Sequence, residues 1–109
     1  YRYVLAKLGE AYVGFVGYAP RYQGQEEMYL SKAYILPQGR GQGVVGALFR
    51  LVEEETKKEG LSRVRLTVNK GNVHAKAVYE HYGYRTVEAV QSDIGGGYVM
   101  DDYVMVKEL

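Results

Sequence analysis

Cysteine and tryptophan are absent from this 109-residue chain, and proline occurs only twice. Without thiols there are no disulfides, no thiolate metal sites and no cysteine nucleophile, a composition compatible with a reducing compartment. Long apolar runs are lacking as well: nothing approaches the roughly 20 residues that a membrane-spanning helix requires. The opening "YRYVLAKLGE" is strand-like and holds no signal-peptide core, so the expectation is a cytoplasmic protein without a membrane partner. Charge of one sign is missing too. Lys and Arg total 14 against 13 Asp and Glu, a net charge of +1. The basic residues are scattered rather than gathered in a stripe, which argues against nucleic acid as a partner.

What remains is an ordinary folded composition, 47% hydrophobic and 25% charged, at a length that supports one core. We therefore expect a single domain over residues 1–109. Its first half reads as strands. "RYVLAKL" and "AYVGFVGY" flank a Gly9-Glu10 turn as a hairpin, "APRYQGQEE" is loop-like, and "MYLSKAYIL" is a third strand stopped by Pro37. From Gly43 the period changes to helical. Val44, Leu48, Leu51 and Val52 form an apolar stripe, and Gly60 is the stop. "SRVRLTV" is the next strand, and Asn72 caps a second helix that ends near Tyr82 and Gly83. Two strands around a glycine-rich turn close the chain. The order β-β-β-α-β-α-β-β places a right-handed parallel crossover between antiparallel hairpins, which predicts a mixed sheet.

Glycine is plentiful, and "GRGQGVVG" contains G-x-G-x-x-G at Gly41, Gly43 and Gly46. A dinucleotide fingerprint would follow the first strand of a parallel unit directly and would carry an acid about 20 residues later. Here Pro37-Gln38-Gly39-Arg40 intervene, and the next strand ends in "TVNKGN" without an acid. A nucleotide P-loop also fails, because no Gly-Lys-Ser/Thr follows. The glycines could simply turn the chain. Several unhindered amides at a helix N-terminus beside Arg40 nevertheless favour a phosphate-bearing ligand, and Gly46 then belongs to the helix.

"KAYILPQGRGQGVVGALF" resembles the acetyl-CoA motif of the GNAT superfamily of N-acetyltransferases, Q/R-x-x-G-x-G/A, through Gln38, Gly41 and Gly43. Downstream, "NVHAKAVYEHYGY" is similar to the family's N-x-x-A-x-x-x-Y-x-x-x-G-F/Y, filled by Asn72, Ala75, Tyr79, Gly83 and Tyr84. The resemblance implies an α+β, three-layer α/β/α-like fold. Its mostly antiparallel mixed sheet would hold one central parallel pair, "MYLSKAYIL" and "SRVRLTV", splayed around the cofactor. It also implies that the family's usual N-terminal strand and helices are lacking here. Acetyl-CoA would lie with its pyrophosphate on amides from Arg40 through Gly41, Gln42, Gly43 and Val44 to Val45, beside Gln38. Its pantetheine would pair with Tyr34, Ile35 and Leu36, with Asn72 on the other side and Tyr79 near the sulfur. Strand edges left bare leave room for a homodimer.

The implied activity is transfer of acetyl to a primary amine, on a small molecule or a peptide, by direct attack in a ternary complex. A non-catalytic acyl-CoA-binding or regulatory domain is the alternative. Tyr79 is the general-acid candidate, because a phenol of pKa ~10 held close can protonate a departing thiolate of pKa ~8.5. The Ile35 N–H is the candidate donor to the carbonyl. No base is assigned. Lys32 stands near the position where many members keep a glutamate, and Glu26, Glu27, Asp101 and Asp102 read first as surface acids. Glu88 and Asp93 join the last two as acids that could attract a cationic acceptor. His74 and His81 share a helix face without the further ligands a metal would need, so no metal is expected.

Overall fold

The computed structural model describes residues 2–37, 41 and 43–109. In chain order these form β1 (Arg2–Leu8), β2 (Ala11–Pro20), a short 3-10 turn at Tyr22–Gly24, β3 (Met28–Ile35), α1 (Val44–Lys58), β4 (Arg63–Asn69), α2 (Val73–His81), β5 (Arg85–Gly95) and β6 (Tyr98–Glu108). The helices and strands follow the order expected from periodicity. Hydrogen bonding gives the strand order β1-β2-β3-β4-β6-β5 in a mixed sheet of an α+β fold. The chain divides into two compact units, Tyr1–Val64 with Leu109 and Arg65–Glu108.

In the first unit β1, β2 and β3 are antiparallel, and α1 packs across them. Val13, Val16, Met28, Leu30, Leu48, Phe49 and Val52 are buried there, each side chain of this size contributing about 1.5–3 kcal/mol on leaving water. The buried face of α1 is Val44, Gly46, Leu48, Phe49, Val52 and Thr56. Leu51, expected in the stripe, is only half-buried. Phe49 is buried instead. Thr56 is accommodated because its hydroxyl donates to Val52 O at 2.6 Å. β2 also outlasts its expected end at Tyr18. Pro20 pairs with Met28 at the strand terminus, where a residue without an N–H costs the ladder little.

The C-terminus of α1 closes as a Schellman motif. Gly60 takes φ +75°; its N–H donates to Lys57 O at 3.0 Å and that of Leu61 to Thr56 O at 3.0 Å. Arginines secure the same end. Arg2 Nη2 lies 3.0 Å from Glu59 Oε1, and Arg21 Nη2 donates to Glu59 O at 2.8 Å. These contacts tie β1 and the β2–β3 connection to the helix end.

In the second unit β5 and β6 form the closing antiparallel hairpin. Leu66, Val68, Tyr84, Val104, Met105 and Val106 are its buried apolar residues. No helix among the described residues is long and apolar enough to cross a membrane.

Candidate functional site

The turn into α1 is made by two glycines in the left-handed region, Gly41 and Gly43, both at φ +76°. An L-residue pays about 1–2 kcal/mol there. Among the described residues, nothing lies within 4 Å of a Cβ placed at either. Gly43 is the N-cap of α1, with no side-chain hydrogen bond to the helix. Amides of the first turn, including Val44 and Val45, have no intrahelical acceptor and carry the positive end of the helix dipole. Open space, unobstructed amides and partial positive charge are what a pyrophosphate needs. Gln38, Arg40 and Gln42 lie outside the described residues.

The end of β3 leads into this turn. Leu36 donates its N–H to Val13 O at 2.7 Å. Bonded and non-bonded pairs alternate in an antiparallel ladder. Phe15–Tyr34 is therefore a bonded pair and Gly14–Ile35 a non-bonded one. The Ile35 N–H accordingly points away from β2, while the Leu36 N–H is committed to it. Tyr34 is 50% exposed and its ring lies 6.1 Å from that of Phe15.

Asn72 and Tyr79 belong to the second unit and to α2. Asn72 is the N-cap: its Oδ1 accepts from the Ala75 N–H at 3.1 Å. The Asn72 N–H in turn donates to Asn69 O at 2.9 Å, closing the β4–α2 turn. With one Oδ1 lone pair used by the cap, Asn72 keeps both Nδ2 donors for a ligand. We expect Asn72→Ala to lower stability by about 1 kcal/mol and Asn72→Asp, which keeps the cap, to restore it. Urea denaturation followed by circular dichroism checks this.

The spacing Tyr79…Gly83-Tyr84 is a second Schellman motif. Gly83 takes φ +96°, its N–H donates to Glu80 O at 3.0 Å, and the Tyr84 N–H donates to Tyr79 O at 3.0 Å. The hydrophobic contact that accompanies this motif joins the same two residues. The rings of Tyr79 and Tyr84 meet edge to face with centroids 5.9 Å apart, and Tyr84 is buried. Burial pushes the Tyr79 phenol above its ordinary range, because the phenolate would lose hydration. The paired backbone and ring contacts show the part of Tyr84 in holding Tyr79.

The acids are largely committed elsewhere. Glu26 lies 3.6 Å from Arg21 and Glu27 3.9 Å from Arg63. Asp101 meets Lys70 Nζ at 2.6 Å and accepts its N–H on the backbone carbonyl at 2.9 Å. The side-chain hydrogen bond to Asp101 raises the pKa of Lys70 above its ordinary value. Asp102 is buried. His74 and His81 are both exposed on α2, the latter edge-on to Tyr82.

Comparison with known proteins finds acetyltransferases. Residues 1–84 match the acetyltransferase (GNAT) family. Uncharacterized N-acetyltransferases of Mycobacterium bovis and Mycobacterium tuberculosis are 36% identical over 95 residues, 86% of this chain and 60% of theirs. The chain thus spans about three-fifths of the length of these curated relatives. Among solved structures, the PaiA N-acetyltransferase of Thermoplasma acidophilum, in complex with coenzyme A, superposes with a TM-score of 0.78 at 20% identity, covering 98% of this chain and 60% of that one. Arabidopsis thaliana Naa50, in complex with the bisubstrate analogue CoA-Ac-MVNAL, gives 0.80 at 22% identity, covering 98% and 72%. A GNAT-family acetyltransferase from Elizabethkingia anophelis with acetyl-CoA bound gives 0.81 at 17%, covering 98% and 75%. At these identities the structures establish the fold, and the family match over most of the chain establishes the lineage: this chain belongs to the GNAT acetyltransferase family.

Proposed function

We propose that residues 1–109 form an acetyl-CoA-binding domain that transfers acetyl to a primary amine, acting in the cytoplasm. The observation that carries this reading is the turn at Gly41 and Gly43, left-handed, open and leading into a helix without a side-chain cap. Amides from Gly41 to Val45, with Gln38, Arg40 and Gln42, hold the pyrophosphate. The β3 backbone at Tyr34, Ile35 and Leu36 receives the pantetheine, and Asn72 offers Nδ2. Relatives of the same fold bind coenzyme A or acetyl-CoA, and one binds an analogue that joins coenzyme A to a peptide, which supports a ternary complex.

Transfer needs a deprotonated amine, a donor to the developing oxyanion and a proton for the thiolate. The amine lone pair attacks the thioester carbonyl, whose oxygen is met by the Ile35 N–H. As the C–S bond breaks, the Tyr79 hydroxyl supplies the proton to sulfur, and the proton lost from the amine passes to water. Water then reprotonates Tyr79. No carboxylate is needed as base if the amine arrives neutral, which agrees with the ion-paired state of Glu26, Glu27 and Asp101.

The test is thiol release from acetyl-CoA against spermidine, an alanine-terminated peptide and tyramine, with calorimetry for acetyl-CoA binding. Turnover with one of these amines is expected. Binding without turnover on a broadened amine panel would favour the non-catalytic acyl-CoA-binding alternative, and absence of binding would sink both readings.

A further inference from the structure

Gly14 in β2 stands opposite Ile35. A Cβ built at Gly14 would lie 2.5 Å from Tyr34 O, 2.7 Å from Ile35 Cδ1 and 3.3 Å from Ile35 Cα. Backbone lies in the way, so a methyl group there cannot be absorbed by a rotamer change. The obstructing oxygen belongs to the peptide that also contains the Ile35 N–H. In a trans peptide the C=O and N–H point in opposite directions. A methyl at Gly14 that pushes the Tyr34 oxygen away from β2 therefore drives the Ile35 N–H outward along the opposite direction.

We propose that Gly14 is a positioning residue for acyl transfer: its missing side chain sets where the Ile35 N–H stands, and through it the oxyanion donor. The inference rests on the proposed function of the Ile35 amide and adds a residue distant in sequence from both family motifs. An amide aimed at a transition state tolerates little displacement, a shift of 1 Å costing up to about 100-fold. The donor acts on charge that develops during reaction, so its misplacement lowers kcat more than it raises KM.

Gly17 supplies the internal control. It lies in the same strand and is also crowded, with a Cβ expected 2.7 Å from Tyr3 Cε1 and 2.9 Å from Ser31 Oγ. Those obstacles are side chains, and neither belongs to the Tyr34–Ile35 peptide. A double variant separates folding from chemistry further. Ile35→Val removes the Cδ1 obstacle to a methyl at Gly14 but leaves the Tyr34 oxygen in place.

The experiment measures kcat and KM for acetyl-CoA with the amine that the parent turns over, together with Tm and the ¹⁵N–¹H spectrum. Gly14→Ala is expected to lower kcat about 30-fold with KM changed less than about threefold, and to move the Ile35 amide resonance. Gly17→Ala should lower Tm while keeping kcat. In Gly14→Ala/Ile35→Val, Tm should recover only in part, because the Tyr34 oxygen still obstructs, and kcat should not recover. If Gly14→Ala keeps the parent kcat, or if kcat returns with Tm in the double variant, the inference is overturned while the proposed function stands. A parent that turns over no amine overturns the proposed function, and this inference with it.

Discussion

Tyr79→Phe is expected to lower kcat by about 100- to 1000-fold while leaving acetyl-CoA binding within about threefold of the parent, the range for loss of a positioned general acid. The fold should survive, because α2 is closed by backbone bonds at Gly83 and Tyr84 and the edge-to-face contact needs only the ring. The pH profile distinguishes an acid from a packing residue. Burial raises the Tyr79 pKa, so the parent stays competent to donate past the ordinary phenol value of ~10. Its kcat falls only above that pH; Tyr79→Phe should lack this alkaline limb. Stability follows the same sign. A group whose folded pKa is raised adds stability below its unfolded pKa, and that stability is lost as pH rises through the folded value. The parent should therefore lose Tm on the alkaline side more steeply than Tyr79→Phe does. Unchanged kcat in Tyr79→Phe, or the same alkaline limb in both proteins, would remove Tyr79 from the mechanism.

The motif around Tyr79 was legible because its logic is local. Asn72 caps the residue three positions on, and Gly83 and Tyr84 close the helix onto the carbonyls before them, so both appear at fixed spacing in the chain. The glycines at 41 and 43 were legible for the same reason: a left-handed turn into a helix selects glycine at particular places. Gly14 was not. Its role depends on which residue of β3 lies opposite, and strand register across the β2–β3 hairpin is not written in the spacing of either strand. The acids also resisted reading from the chain. Lys70 reaches Asp101 only because β4 ends beside the start of β6, and Glu27 meets Arg63 from a distant part of the chain. The exchange of Leu51 for Phe49 on the buried face of α1 has a similar origin. Periodicity gives the width of an apolar stripe, whereas the strands beneath choose its centre.

Gly43→Asp should weaken acetyl-CoA binding by about 100- to 1000-fold with little loss of stability, a combination that simple misfolding cannot produce. Among the described residues, nothing lies within 4 Å of a Cβ at Gly43, which leaves the side chain room in the free protein. The left-handed backbone costs an L-residue about 1–2 kcal/mol, but aspartate is among the residues that tolerate it best. A carboxylate at an N-cap also satisfies first-turn amides and complements the helix dipole, which offsets much of that cost. Those same amides are the ones proposed to receive pyrophosphate. Aspartate would occupy them and set a negative charge beside the ligand, where two like charges 4 Å apart repel by about 4 kcal/mol at an effective dielectric constant near 20. Gly43→Ala separates the two effects, because it carries the backbone strain without the charge. It should lose more stability than Gly43→Asp and less than about tenfold in affinity. Calorimetry with acetyl-CoA and thermal melts of the three proteins decide the matter, and binding by Gly43→Asp within about threefold of the parent would remove the pyrophosphate from this turn.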